Sequence, residues 1–415
     1  NARKLCVGHS DDFYDELYET MIEADSYLDI ASLTQPDGRF EAAIRNALTY
    51  LSNTGRVITA RYLYGAVPSA NTDEVLDSLM RDVQLGTSLK THVGAYRVGL
   101  TSWNHAKIIA VDGKVLVTGG HNFWDQHYLK NAPVHDLSIR LTGTPADDAH
   151  YFVNQLWAHT CAGYWLWSES DTSVFPVTAP DCPEDYDGAL PALTKTGSRV
   201  ISVARMGEIG EDPADLALIE MIRAAQSSIR LSNQDIGPIQ LGAATVTDWP
   251  VDVMREIVDA VRRNVDVYIV LSNPDSIPGD LNRFSGTYGN GWTAIDVASK
   301  FLERFMPQGS NDTYYGLYED LCEHLHVSTI RFSDDEQWGG GENIGNHAKF
   351  MIIDEVAFYL GSQNIYPANL AEHGIIVDDS AMTSRLLETY WDPMWNSSKR
   401  TAVSGFEAPA CNISR

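Results

Sequence analysis

Asn104-His105-Ala106-Lys107-Ile108-Ile109-Ala110-Val111-Asp112 returns later in the chain as Asn346-His347-Ala348-Lys349-Phe350-Met351-Ile352-Ile353-Asp354. Both runs end alike, at Gly119-Gly120-His121-Asn122 and at Gly361-Ser362-Gln363-Asn364. Laid over each other without a gap, windows 104–122 and 346–364 share Asn, His, Ala, Lys, Asp, Gly and a final Asn, seven identities in nineteen positions. The shared residues are mostly polar or Gly, while the positions between them change freely among apolar types. A hairpin duplicated for packing alone would keep its apolar pattern. Duplicated chemistry keeps the polar atoms.

Within each copy the spacing is informative. His105 and Lys107 are two apart in a run of strand character, which points them to one face. Asp112-Gly113 reads as a tight hairpin turn. Asn122 follows two glycines, where backbone can approach a ligand closely. The second copy supplies His347, Lys349 and Asn364, but Asp354 is followed by Glu355 instead of Gly, which predicts a second turn of different geometry. Each copy therefore offers an imidazole, an ammonium and an amide.

That donor set suits an anion. A metal fits poorly, because Lys beside His repels a cation and no HExxH or paired His/Cys spacing is present. We expect no metal and no cofactor. Two copies brought together can clamp one phosphate, with Lys and Asn donating to its oxygens. One neutral imidazole can attack phosphorus while the other protonates the leaving oxygen. A single His–Lys pair on a strand is usually a surface pair; two copies, each with Asn seventeen residues after His, are far more specific.

Outward from the motifs, each half alternates helix and strand. The expected order is helix 11–25, strand 27–31, helix 40–52, strand 56–63, helix 73–84 and a strand near 92–97. Half two repeats it: helix 213–226, strand 228–232, helix 250–263, strand 266–272, helices 294–306 and 314–324, strand 327–332. This is an α/β pattern with helices on sheet faces. The expected fold is α/β, two duplicated lobes: an N-terminal lobe at 1–165, a Pro-rich linker at 166–200 and a C-terminal lobe at 201–415. Two Gly-rich loops with aromatics, 274–293 and 334–345, read as a lid or a lipid-contacting rim.

The net charge of −26 argues against nucleic acid, whose affinity comes mainly from Lys and Arg neutralising phosphates. No apolar run reaches the roughly 18 residues of a membrane span. The five cysteines have no CxxC spacing. Cys161 and Cys182 flank a loop-rich stretch and can close a disulfide, which suits an exported chain.

At these residues the sequence resembles the phospholipase D superfamily, whose mark is a pair of HxK(x)4D motifs. His105, Lys107 and Asp112 form one, and His347, Lys349 and Asp354 the other. Ser102-Trp103-Asn104-His105, Gly119-Gly120-His121-Asn122 with Trp124 and Tyr128-Leu129, and Gly361-Ser362-Gln363-Asn364-Ile365-Tyr366-Pro367 resemble the secreted bacterial enzymes of the Streptomyces type. The resemblance implies two α-β-α sandwich lobes with pseudo-two-fold symmetry and the active site between them. It implies hydrolysis of phosphatidylcholine-type lipids to phosphatidic acid, with transfer to other alcohols, at a membrane or micelle surface. The implied nucleophile is His105 and the implied general acid His347. Asp136 and Glu372 would orient the histidines, each paired with the histidine of the opposite half; Glu372 stands where such relatives usually carry Asp. Asp112 and Asp354 would lie behind the site and stabilise the hairpins. A secreted monomer with a Cys161–Cys182 disulfide is expected. The alternative reading is a phosphodiesterase or nuclease of the same superfamily, against which the acidity and the aromatic loops argue.

Overall fold

The computed structural model describes residues 2–7, 11–66, 70–99, 101–128, 132–163, 172–188, 197–208, 212–238, 240–241, 244–245, 247–274, 276, 291–306, 311–405 and 410–413. The first lobe runs β1 (Ala2–Val7), α1 (Asp11–Met21), β2 (Tyr27–Ser32), α2 (Gly38–Ser52), β3 (Ile58–Gly65), α3 (Thr72–Met80), β4 (Leu89–Val98) and β5 (Ser102–Trp103). It continues through the hairpin β6 (Ile108–Val111) and β7 (Val115–Gly119), then α4 (Asp125–Tyr128), β8 (Leu137–Thr142), α5 (Pro145–Ala162) and β9 (Thr172–Phe175). The second lobe opens with β10 (Arg199–Met206), α6 (Pro213–Ala224), β11 (Ser228–Asn233) and a small ribbon, β12 (Gln240–Leu241) and β13 (Ala244–Thr245). Then come α7 (Val251–Arg262), β14 (Asp266–Leu271), α8 (Ala294–Phe305), α9 (Asn311–His324) and β15 (Leu325–Thr329). The chain ends through β16 (Lys349–Ile353), β17 (Ala357–Gly361), β18 (Ala371–Asp378), α10 (Ser380–Leu386) and α11 (Asp392–Ser398).

Two mixed sheets result. The order β1-β8-β7-β6-β2-β3-β4-β5, with β9 beside β4, is matched by β10-β18-β17-β16-β11-β14-β15. In each, the strands joined by helical crossovers run parallel (β2-β3-β4 and β11-β14-β15), and the motif hairpin adds antiparallel. Parallel neighbours need a crossover, whereas a tight turn serves the hairpin. Helices α1 to α3 cover the outer face of the first sheet and α6 to α9 that of the second. Between the sheets lies one shared core, in which Trp157 of α5 and Phe350, Phe358, Trp391 and Trp395 of the second lobe are almost wholly buried. The fold is a duplicated α/β protein with two lobes facing each other.

The structure departs from the sequence reading in several places. The expected linker 166–200 contributes β9, which pairs with β4 through Thr91–Phe175, so part of it belongs to the first sheet. The second hairpin turn matches the first. Asp112 and Gly113 have φ of 50° and 64°, and Asp354 and Glu355 have φ of 51° and 60°. Lys114 N donates to Val111 O and Val356 N to Ile353 O. A type I′ turn needs positive φ at both central positions, so Glu355 takes the strain that Gly113 avoids. The motif His and Lys do not share a strand either: β6 begins at Ile108 and β16 at Lys349. Helix α5, unforeseen as a helix, is the element that both sheets pack against. Cys161–Cys182 is joined by a second disulfide, Cys322–Cys411. Of the two Gly-rich loops, 275 and 277–290 lie outside the described residues. In the other, the Trp338 indole donates to Pro133 O of the first lobe at 3.1 Å and stacks near Phe332, so this loop straps the lobes together.

Candidate active site

Each motif is held by an interior strand of its own sheet and by a backbone bridge to the other lobe. His105 N donates to Ala371 O at 2.7 Å, and His347 N donates to His135 O at 2.8 Å. Asn104 pairs with Ala371, and His135 with Asn346, as isolated bridges. The residues just after these bridges are Glu372 and Asp136. Backbone pairing across the lobes thus sets each acid beside the histidine of the opposite half.

The side chains follow. His105 Nδ1 lies 2.7 Å from Glu372 Oε1, and His347 Nδ1 lies 2.8 Å from Asp136 Oδ2. The two imidazole centroids are 6.4 Å apart at 72°. With Nδ1 tied to a carboxylate, each ring keeps Nε2 as its working nitrogen. The shared Asn104 and Asn346 are structural: Asn104 Nδ2 donates to Ser32 O, and Asn346 Nδ2 to Ser232 Oγ, Asn233 O and Val270 O. They pin the motif to the neighbouring parallel strand.

Lys107 and Lys349 are buried, and each ammonium donates to a carbonyl of its own motif, His105 O and His347 O. Asn122 and Asn364 are also buried. The Asn364 amide donates to the Tyr366 hydroxyl at 2.6 Å. The side-chain oxygens of both asparagines have no hydrogen-bond partner among the described residues. Buried polar atoms in that condition mark a place where a ligand or water completes the set.

Electrostatics is dominated by burial. Burial, then the charges of Lys107, Lys349 and Arg205, hold the His105 imidazole well below its ordinary range. Burial and Lys349 do the same to His347, while Asp136 pulls the other way. Burial, then Lys349, drives the Lys107 ammonium well down; burial brings Lys349 to about 7, against the pull of Asp136 and Glu372. The two acids differ. Burial raises Glu372, only partly offset by Arg205. Burial would raise Asp136 too, but the charges of His121 and His347 hold it well below the carboxylate range. An anionic ligand among these buried donors would stabilise their charged forms.

Asp112 and Asp354 stand away from the imidazoles, at the far ends of the hairpins. Asp112 accepts from the backbone N–H of Asp25, Ser26 and Tyr27 and from the Ser26 hydroxyl. Asp354 accepts in the same way from Gln226, Ser227 and Ser228. Each stitches its hairpin to the turn that enters the first parallel strand.

Two residues escaped the sequence reading. Arg205 of β10 donates to Glu372 Oε2 at 2.7 Å, to Asp215 at 3.0 Å and to Leu370 O at 3.1 Å. Tyr128 donates to Asp136 Oδ2 at 2.9 Å and accepts from Asn122 N at 3.2 Å. Tyr128 lies in a stretch that carries the family resemblance, but its sequence neighbourhood does not name Asp136 as its partner. Nothing in the local sequence around Arg205 points to the site, because β10 reaches it only by pairing with β18.

Comparison with known proteins agrees with this geometry. A family model described as cardiolipin synthase, PLD-like domain, matches residues 218–395. A phospholipase D from Streptomyces antibioticus is 27% identical over 446 residues, covering 95% of this chain and 78% of that protein. Among solved structures, a phosphatidylserine synthase from Haemophilus influenzae Rd KW20 shares the fold, with a TM-score of 0.65 at 14% identity over 95% of this chain and 86% of that one. With two copies of the motif facing each other across the lobes, the chain carries the paired motif of the phospholipase D superfamily and is similar along nearly its whole length to an enzyme of that superfamily.

Proposed function

We propose that this chain is a phospholipase D that hydrolyses phosphatidylcholine-type glycerophospholipids and transfers the phosphatidyl group to other alcohols. The observation that carries the reading is the pair of imidazoles 6.4 Å apart, each backed at Nδ1 by a carboxylate from the opposite lobe. A tetrahedral phosphate fits between two such Nε2 atoms. Lys107, Lys349, Asn122 and Asn364 are the donors for its non-bridging oxygens.

In the first step His105 Nε2 attacks phosphorus, and the bond from phosphorus to the head-group oxygen breaks. His347 gives its Nε2 proton to the departing alkoxide. The phosphatidyl group is then held on His105. In the second step His347 takes a proton from water, the water oxygen bonds phosphorus and the phosphorus–nitrogen bond breaks. Phosphatidic acid leaves and both rings return to their starting states. An alcohol in place of water gives a new phosphodiester. The proton balance needs one ring neutral and the other charged. Desolvation favours the neutral form of both, so the bound phosphate anion has to support the charge on His347, together with Asp136.

Two disulfides suit an oxidising compartment, so a secreted enzyme is part of the proposal. Incubation with phosphatidylcholine and ethanol tests the reaction. Phosphatidylethanol beside phosphatidic acid is the expected result, and His105→Ala should abolish both. Cleavage of DNA with no lipid product would overturn the reading in favour of the nuclease.

A further inference from the structure

The repeat allows the lobes to be compared position by position, and beneath the motif hairpins they differ. In the first lobe Ile108, Ile109, Val117 and Phe123 line a pocket with Phe13 that holds no water-sized space. Rings fill it: Phe13 stacks on His121 at 4.3 Å, and Phe40 on Phe123 at 6.2 Å. The repeat partners of those four residues are Phe350, Met351, Tyr359 and Ile365, and they line a cavity of about 670 Å³. Ile365 stands where the first lobe has Phe123. Ala214 stands where it has Phe13, when the helices are aligned on the turns that grip Asp112 and Asp354. The rings are redistributed: Phe13 and Phe123 give way to Ala214 and Ile365, Ile108 and Val117 give way to Phe350 and Tyr359, and the second lobe is open where the first is closed.

The cavity has an apolar floor and an acidic mouth. Leu218 and Ile222 of α6 and Leu231 of β11 form part of the floor. Asp212 and Asp215 flank the start of α6, and Asp248 and Asp252 the start of α7. Its wall also includes Asn364 and Arg205. Arg205 backs Glu372, which backs His105 at Nδ1, so the cavity adjoins the site through Arg205 and Asn364. In the proposed mechanism the head group departs from the His347 side, and the lipid end stays bonded to His105 through phosphorus.

We infer that this cavity holds an acyl chain of the substrate during both displacements, an inference that rests on the proposed lipid reaction. Size favours a chain. At about 30 Å³ for a water-sized group, the cavity takes roughly 20 such groups, far more than one ammonium head group. The apolar floor gains from being covered by methylenes, and Asp212, Asp248 and Asp252 disfavour a free fatty-acid anion while tolerating an esterified chain, Asp215 being paired with Arg205.

Binding reads this without turnover. The full chain carrying His105→Ala is titrated with butylphosphocholine and dodecylphosphocholine, both as monomers. The dodecyl compound should bind at least roughly 50-fold more tightly, since each buried methylene adds affinity. Leu218→Phe with Ile365→Phe, which restores bulk, should cut that ratio to about 5 or less and leave butylphosphocholine binding and the thermal midpoint unmoved. Leu216→Phe, on an exposed position of α6, should change nothing. A ratio near one, or a ratio that survives the filled cavity, overturns the inference. Binding of choline chloride that the filled protein loses overturns it as well, by giving the cavity to the head group. A chain-length preference in an enzyme that forms no phosphatidylethanol would sustain the cavity and sink the proposed reaction instead.

Discussion

At the scale of the residue, the two imidazoles are chemically alike but differently supported. Glu372 shares its charge with Arg205, whereas Asp136 pairs with His347 and accepts from the Tyr128 hydroxyl and the Leu137 backbone N–H. The anion on Asp136 is thus freer to stabilise a protonated ring, which suits His347 as the acid, and His105 is left the more readily neutral nucleophile. Asp136→Asn removes that support and should lower kcat by about 10²- to 10⁴-fold, the usual span for general acid–base assistance. The pH profile carries the same logic. Both rings are depressed in the empty site, so the bell of kcat/KM should centre below the ordinary imidazole value of about 6.5. The bell of kcat, read with the phosphodiester bound, should lie higher, because the bound anion offsets the lysine charges. Profiles of a soluble short-chain phosphodiester separate the two. Identical limbs for both constants would mean that ligand and imidazoles do not share charge.

At the scale of the element, the motif aspartates belong to hairpins. Asp112 is held below the ordinary carboxyl range, because backbone donors from Asp25, Tyr27 and Ser26 outweigh its burial. Replacing it with Ala strips three backbone N–H groups of a charged acceptor. We expect a loss of about 1.5–3 kcal/mol in unfolding free energy, read by urea titration, with the remaining folded enzyme still able to bind substrate. An unchanged urea midpoint would show the stitch to be idle. Glu355 presents the opposite case. A side chain in left-handed backbone costs roughly 1–2 kcal/mol, while its exposed ion pair with Arg230, at 2.7 Å, returns only about 0–1 kcal/mol. Glu355→Gly should therefore raise stability, by about 0.5 kcal/mol after the added chain entropy of glycine. A fall would show that the Arg230 pair dominates.

At the scale of the whole molecule, the two lobes are one cooperative object. The shared core, the backbone bridges at Ala371 and His135 and the Trp338 strap all cross between them. Acid should undo that object in a definite window. His105 and His347 are depressed, and burial brings His326 and His373 to about 4. A group whose folded pKa is depressed contributes stability above its unfolded value and loses it as pH falls. Stability should thus decline from about pH 6.5 toward 4, before Asp112 and Asp354 begin to protonate. Urea midpoints measured down that range check the claim, and a flat response between pH 7 and 4.5 would mean that these rings are not buried in the neutral form.

The sequence by itself determined the repeat, the residue types in the site and most of the helices and strands of the parallel units. Periodicity and a doubled polar motif are local, so they survive in one dimension. It named Asp136 and Glu372 only through resemblance, since nothing in their neighbourhoods says which histidine they meet. The tertiary structure decided the rest. The turn at Glu355 took the geometry of its hairpin over the preference of its residue, because strand pairing outweighs a strain of this size. Strand β9 was recruited from a Pro-rich stretch by an open sheet edge. Arg205 reached Glu372 through β10 pairing with β18, a contact between residues far apart in the chain. The cavity is lined from β10, α6, β11, α7 and the second motif, which become neighbours only after folding. Pairing across the lobes is a property of the folded surface, and no window of the chain contains it.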